Sequence, residues 1–209
     1  YMPKKLGGIT YGVHLGQVYT DYSTGSFKVT DNTTDFAIDG NGFFAIAFTD
    51  KQGNTSVKYT RDGSFTVNTE GYLVTKDGDY VLNATGAMNG DPSRNNFIQV
   101  DPNATVTVNK MGYVIQNDQV VGTLGVVDVD NYDYLEKYGE NMYNLLDGGN
   151  RIATDAKVEQ GVLETSNVNV VNEMVNMITI QRAYEANQKV ITSIDSTLDR
   201  AVNNVGRVQ

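Results

Sequence analysis

The feature that most constrains this chain is a change of period at Thr165. Before it, apolar residues come in short, often alternating runs; after it, they recur at intervals of three and four. The second pattern runs Met177, Ile180, Tyr184, Asn187, Ile191, Ile194, Leu198, Ala201 and Val205, with Asn187 its single polar member. This is a heptad-like seam along one face of a helix. No Pro follows Thr165, and the only later Gly is Gly206. Ser166, Asn167 and Asn169 can each begin the helix, because their side chains accept from free backbone N–H groups. A helix from Ser166 to Val205 would be about 60 Å long, well beyond ordinary globular helices. Leaving its apolar stripe in water would forgo on the order of 10 kcal/mol. The expected partner is therefore another helix, in a second copy or in sequence preceding Tyr1. The alternative is a helix that bends back over the β domain along most of the seam; its first turns, Val168 to Val175, are expected to pack on that domain.

The part before Thr165 reads as β. Apolar runs recur at Phe36 to Ile38, Phe43 to Phe48, Val57 to Thr60, Phe65 to Val67, Tyr72 to Val74 and Tyr80 to Leu82. A second set covers Phe97 to Val100, Thr105 to Val108, Tyr113 to Ile115 and Val120 to Val127. Asp39-Gly40, Asn41-Gly42, Asp62-Gly63, Glu70-Gly71 and Asp77-Gly78 punctuate them, as residues that tolerate the positive φ of tight hairpins. The spacing predicts an antiparallel β sandwich or irregular barrel. A short echo, Thr66-Val67-Asn68 with Gly71-Tyr72 and Thr107-Val108-Asn109 with Gly112-Tyr113, predicts two similar hairpins. Asp128 to Thr165 looks irregular, with Tyr132, Tyr134, Leu135 and Tyr138 folding back onto the sheet. The expected fold is mainly β with a long C-terminal α-helix. It divides into a weakly marked leader (1–24), a β-rich domain (25–165) and a coiled-coil-like helical segment (166–209).

Composition excludes several chemistries. A formal net charge of -9 repels phosphate backbones, so no nucleic-acid partner is expected. The absence of Cys removes disulfides and thiolate chemistry, and His14 is the only His, so no His-based metal site or Ser-His dyad can be built around a second one. No apolar run approaches the roughly 20 residues of a membrane span. No basic-then-apolar leader opens the chain, and the start on Tyr1 suggests a fragment. Gly40-Asn41-Gly42 could cradle a phosphate, but it leads into a strand rather than a helix. Asp128, Asp130 and Asp133 lack the Gly and the distal Glu of a calcium loop, and Asp77 and Asp79 read as solvated turn charges. Arg182 and Glu185, three apart on the helix, can pair there or meet a neighbouring subunit. No catalytic, cofactor-binding or metal residue is assigned.

Three groups of residues resemble the bacterial flagellar rod and hook family, nearest to its distal rod branch. The first is Asp35 to Phe44, then Tyr59-Thr-Arg-Asp-Gly-Ser-Phe65 and Gly71 to Thr75. The second is Gly139-Glu-Asn-Met-Tyr143. The third runs on from Gly161 through Ser166, Asn167 and Asn169 to Glu173, then Gln181-Arg182-Ala183-Tyr184-Glu185-Ala-Asn187. The resemblance implies a structural subunit, exported through the flagellar channel, that polymerises helically into the axial shaft outside the cytoplasmic membrane. It implies contacts with neighbouring rod and hook proteins, and an N-terminal helix, absent here, as mate for the seam. A hook or hook-associated protein is the near alternative. A cell-wall hydrolase or a secreted β-rich adhesin is the distant one.

Overall fold

A computed structural model describes residues 20–205. Most of the leader 1–24 lies outside the described residues, as does His14. The chain begins with β1 (Phe27–Val29), β2 (Phe36–Asp39), β3 (Phe43–Thr49) and β4 (Thr55–Thr60). Then come β5 (Phe65–Val67), β6 (Leu73–Thr75), β7 (Tyr80–Val81) and the short helix α1 (Ala84–Asn89). Next are β8 (Thr107–Val108), β9 (Tyr113–Gln116), β10 (Gln119–Thr123) and β11 (Val126–Val129). The last strands are β12 (Leu135–Tyr138), β13 (Met142–Leu145), β14 (Arg151–Ile152), β15 (Lys157–Gln160) and β16 (Val162–Glu164), followed by α2 (Val170–Val205).

The largest sheet has nine strands, with a main path β12-β13-β4-β3-β7-β6-β5. Its named pairings are antiparallel, and it does not close into a barrel. Strand β3 lies at its centre because both of its faces are apolar. Phe43, Ala45 and Ala47 point one way, Phe44 and Ile46 the other, and all five are buried. Phe44 and Ile46 pack with Phe36, Ile38, Val108, Val114 and Val158, so β2, β8, β9 and β15 cover that face. The opposite face packs on Leu82, Ala87, Val127 and Leu135, with the rings of Tyr22, Tyr132 and Tyr143 against it.

The structure corrects several readings. Phe97 to Val100 is not a strand but carries two isolated bridges, Leu82 with Phe97 and Tyr72 with Gln99. Val120 to Val127 is two strands, broken where Gly125 passes too close to the Leu82 carbonyl for any side chain. The stretch after Val129 is not irregular. It supplies β12 to β16, each only two to four residues long and partly polar, too short for an alternation to stand out. Helix α1 breaks the β pattern because Asn83 caps it, its Oδ1 accepting from Gly86 N at 2.8 Å.

The echo of the two hairpins is a duplicated turn. Asn68 Oδ1 accepts from Glu70 N at 3.0 Å and Tyr72 N at 2.8 Å. Asn109 Oδ1 accepts from Met111 N and Tyr113 N, both at 3.0 Å. Gly71 and Gly112 take the same left-handed φ, +81° and +80°. Gly63 differs from the other turn glycines. It has no positive φ and is needed because the Phe36 carbonyl lies where its Cβ would be.

Candidate assembly site

Two features stand apart from the packed β body, namely a helix whose described side chains are all exposed and the neck from which it leaves. Of the three candidate caps, Asn169 starts α2, with Oδ1 accepting from Val171 N at 3.1 Å and Asn172 N at 3.2 Å. The Glu173 N–H makes the first helical bond to the Asn169 carbonyl at 3.0 Å. Ser166 Oγ accepts from Val168 N instead. Asn167 turns its amide across to the incoming chain and donates to the carbonyls of Asp21 and Ser23.

Every residue of the helix whose side chain is described is exposed. The alternative of a helix folded back on the sheet is therefore corrected, and Val168, Val170, Val171, Met174 and Val175 are more than half exposed. The seam is exposed from Met177 to Ala201, with Ile180 at 70% and Tyr184 at 59% exposure, and Met177, Ile191, Ile194 and Leu198 similar. Asn187 and Ala201 are exposed on the same face; Val205 ends the helix. Glu185 accepts from Gln181 Nε2 at 3.1 Å, an i,i+4 bond within the helix. Arg182 and Ala183 stand exposed beside it.

A second apolar stripe was not singled out in the sequence. Val171, Met174, Val175 and Ile178 recur at helical spacing and are all at least half exposed. At about 100° per residue, their mean direction lies nearly opposite the seam. From Arg182 onward that opposite face turns polar, through Glu185 and Lys189.

The neck is built around Arg61. Its Nε lies 2.9 Å from Glu164 Oε2 and its Nη2 3.2 Å from Oε1, a two-pronged pair with side chains only 19% and 11% exposed. Nη1 donates to the carbonyls of Gly40 and Gly42 at 2.8 and 2.7 Å. The Gly40-Asn41-Gly42 turn thus presents carbonyl oxygens to a cation, the reverse of a phosphate cradle. Glu164 Oε1 also accepts from Gly25 N at 2.8 Å. A Cβ on Gly25 would strike the Thr165 carbonyl, so the incoming and outgoing chains run in contact. Strand β1 pairs with β16 directly beside them.

A cavity of ≈ 430 Å³ opens at this neck. Its lining includes Phe43, Arg61, Asn141, Tyr143, Glu164 and Asn167. Those residues come from each of the three groups that carry the family resemblance, which are far apart in sequence. Tyr22 also lines the cavity and packs at 4.9 to 6.1 Å on the rings of Tyr132, Tyr143 and Phe43. Burial and a hydrogen bond to Asp128 push the Tyr132 hydroxyl up to about 12, and burial raises Tyr22 and Tyr143. Asp128 and Asp130, set aside above as calcium ligands, are engaged separately. Asp128 accepts from Tyr132, Asp130 accepts from Asn150, and no group of three metal-type ligands forms among the described residues. The two-pronged pair was missed because its partners lie 103 residues apart. The one available signal was an Arg and a Glu that each fall inside a family-like stretch.

Residues 37–116 match the family described as flagellar hook protein FlgE/F/G D1 domain. Residues 159–204 match the flagellar basal body rod FlgEFG protein C-terminal family. The flagellar basal-body rod protein FlgF of Caulobacter vibrioides is 37% identical over 193 residues, covering 91% of this chain and 73% of that protein. FlgG of Buchnera aphidicola is also 37% identical, covering 92% of this chain and 74% of its own. FlgG of Bacillus subtilis is 33% identical, with 93% and 74% covered. With the β body and the C-terminal helix both accounted for, the chain belongs to the flagellar basal-body rod protein family.

Proposed function

We propose that this rod subunit polymerises with copies of itself, through the two faces of α2, into a helical array. The observation that carries this is the pair of opposed apolar stripes near the start of the helix. A single seam would be satisfied by a two-helix pair. Two opposed faces ask for a neighbour on each side, which gives head-to-tail contacts that propagate instead of closing. In this reading the β body (25–165) is the folded unit, and 166–209 is the polymerisation segment. The seam from Met177 to Val205 meets one neighbour; Val171, Met174, Val175 and Ile178 meet another. Arg182 is placed to pair across a contact. Neighbouring rod and hook proteins occupy the two ends of the array, and the subunit transmits torque by assembly rather than catalysis. An N-terminal helix from the family's longer proteins would add a further partner to the seam.

The test is sedimentation and negative-stain imaging of the purified chain across a range of concentrations. Concentration-dependent tubes or filaments are expected, abolished by Ile191→Asp while the β body stays folded. A chain that remains monomeric at high concentration, or stops at a dimer, would refute the two-faced contact.

A further inference from the structure

Lys58 is a lysine inside a sheet. It lies on β4, is 8% exposed, and shares a face with Ile46 directly opposite on β3. Its Nζ donates to Asn144 Oδ1 on β13 at 2.8 Å. Glu136 on β12 stands directly opposite Asn144 in the antiparallel register. Three adjacent strands therefore present an amine, a carboxamide and a carboxyl in one row. The row is roofed by aromatic rings. Lys58 Nζ sits 4.5 Å from the centre of the Tyr138 ring, and Phe48 packs edge-on to that ring at 5.3 Å. Burial holds the Lys58 amine below the usual lysine range, with Glu136 pulling the other way. The backbone pairing between β4 and β13 covers only Thr60 with Met142 and Tyr59 with Tyr143, so it ends next to this row.

We propose that Lys58 and Asn144 form a self-modification site, at which the amine and the carboxamide close to an isopeptide bond. In its deprotonated form, Nζ attacks Asn144 Cγ. A bond forms between Nζ and Cγ, and the bond from Cγ to Nδ2 breaks. Glu136 carries the proton lost by Nζ to the departing nitrogen, which leaves as ammonia. One amide replaces another, so no oxidant, reductant or further reactant is needed. The two residues are separated by 86 positions in sequence. Their strands meet over a pairing of only two residues each.

Mass spectrometry of the purified full chain, after folding and prolonged incubation, tests this. The expected product is about 17 Da lighter than the sequence mass, through loss of one ammonia. Succinimide formation at Asn41-Gly42 or Asn89-Gly90 gives the same loss, so the site must be located by digestion. Trypsin should fail to cut after Lys58 and should release one branched peptide containing both Lys58 and Asn144. Lys58→Arg keeps the charge but should give no branched peptide. Glu136→Gln, at an exposed position that leaves the fold intact, should slow its appearance about a hundredfold. Should Lys58→Arg fail to fold, that rate decides the question. Normal cleavage after Lys58 with no branched peptide in the folded wild-type chain would overturn the proposal and leave a hydrogen bond only. A Glu136→Gln rate equal to wild type would overturn the proton-carrying role.

Discussion

Arg61 and Glu164 meet through two nitrogens and two oxygens across 103 residues, at the point where both ends of the chain leave the β body. Removing one partner strands the other in a confined site. Arg61→Met is expected to destabilise the β body by about 3 kcal/mol. Arg61→Lys keeps the charge but not the planar fork, and is expected to cost about half as much. Chemical denaturation followed by near-UV circular dichroism reads both. A Lys variant that unfolds with the wild type would show that the fork does not hold the neck.

On the helix, Ile191→Asp and Leu198→Asp place a charge on the seam, which is costly to bury. Each is expected to block assembly while leaving the β body's melting unchanged. Ile178→Asp, on the opposite stripe, should do the same. Gln188→Lys should assemble normally. Tyr184→Ala separates contact from stability, because its ring is exposed in the single subunit. Loss of rod assembly with an unchanged melt is the expected pair of results. Assembly at wild-type efficiency would remove this face from the polymer contact.

The duplicated turn makes a paired prediction. Asn68→Ala and Asn109→Ala each remove one side-chain oxygen that holds two backbone N–H groups. Each should cost about 1–2 kcal/mol, and the two costs should agree closely. A large difference in their denaturation midpoints would show that the turns are alike in shape but not in energy.

The ring cluster behind the neck should make the β body sensitive to alkali. Tyr132 is pushed up to about 12 in the folded chain, against 10.0 for an ordinary tyrosine. Above pH 10 the unfolded state therefore releases a proton that the folded state keeps, and stability falls as pH rises through this window. Tyr132→Phe should flatten that fall. Thermal melts from pH 9 to pH 11 for both proteins would check it, and identical slopes would count against the assignment.

Residues 20–168 should fold without α2, since both cores lie within that span. A single cooperative melt is expected. The same span started at Gly25 loses Tyr22 from the aromatic cluster and should melt at a lower temperature. Equal midpoints would show that the ring adds nothing.

Much of this was legible from local pattern. Phe43 to Phe48 reads as a strand because consecutive apolar residues suit a strand buried on both faces. The seam reads as a helix because its period persists over many turns. What was not legible depends on long-range pairing or on very short elements. Arg151–Ile152 is a strand of two residues that exists because it pairs with Val129 and Asp128. Arg61 looks like any turn-side arginine until Glu164 arrives opposite it. The stripe through Val171 and Ile178 was visible as apolar residues, but the prior that they pack on the nearest domain hid their exposure. The sequence does not tell where a neighbouring domain stops.

The bare helix has a consequence for how growth proceeds. A helix of 36 residues whose described side chains are all exposed must order its backbone without the packing that normally compensates. In the polymer proposed above, its completion would be a bimolecular event, driven by mass action as each neighbour arrives. Free subunits would stay below a threshold at which such contacts accumulate. At an existing tip, the stripe of the previous subunit would already be fixed and would act as a template. Nucleation would then be slow and elongation fast, so added protein would lengthen a structure already begun before it started another.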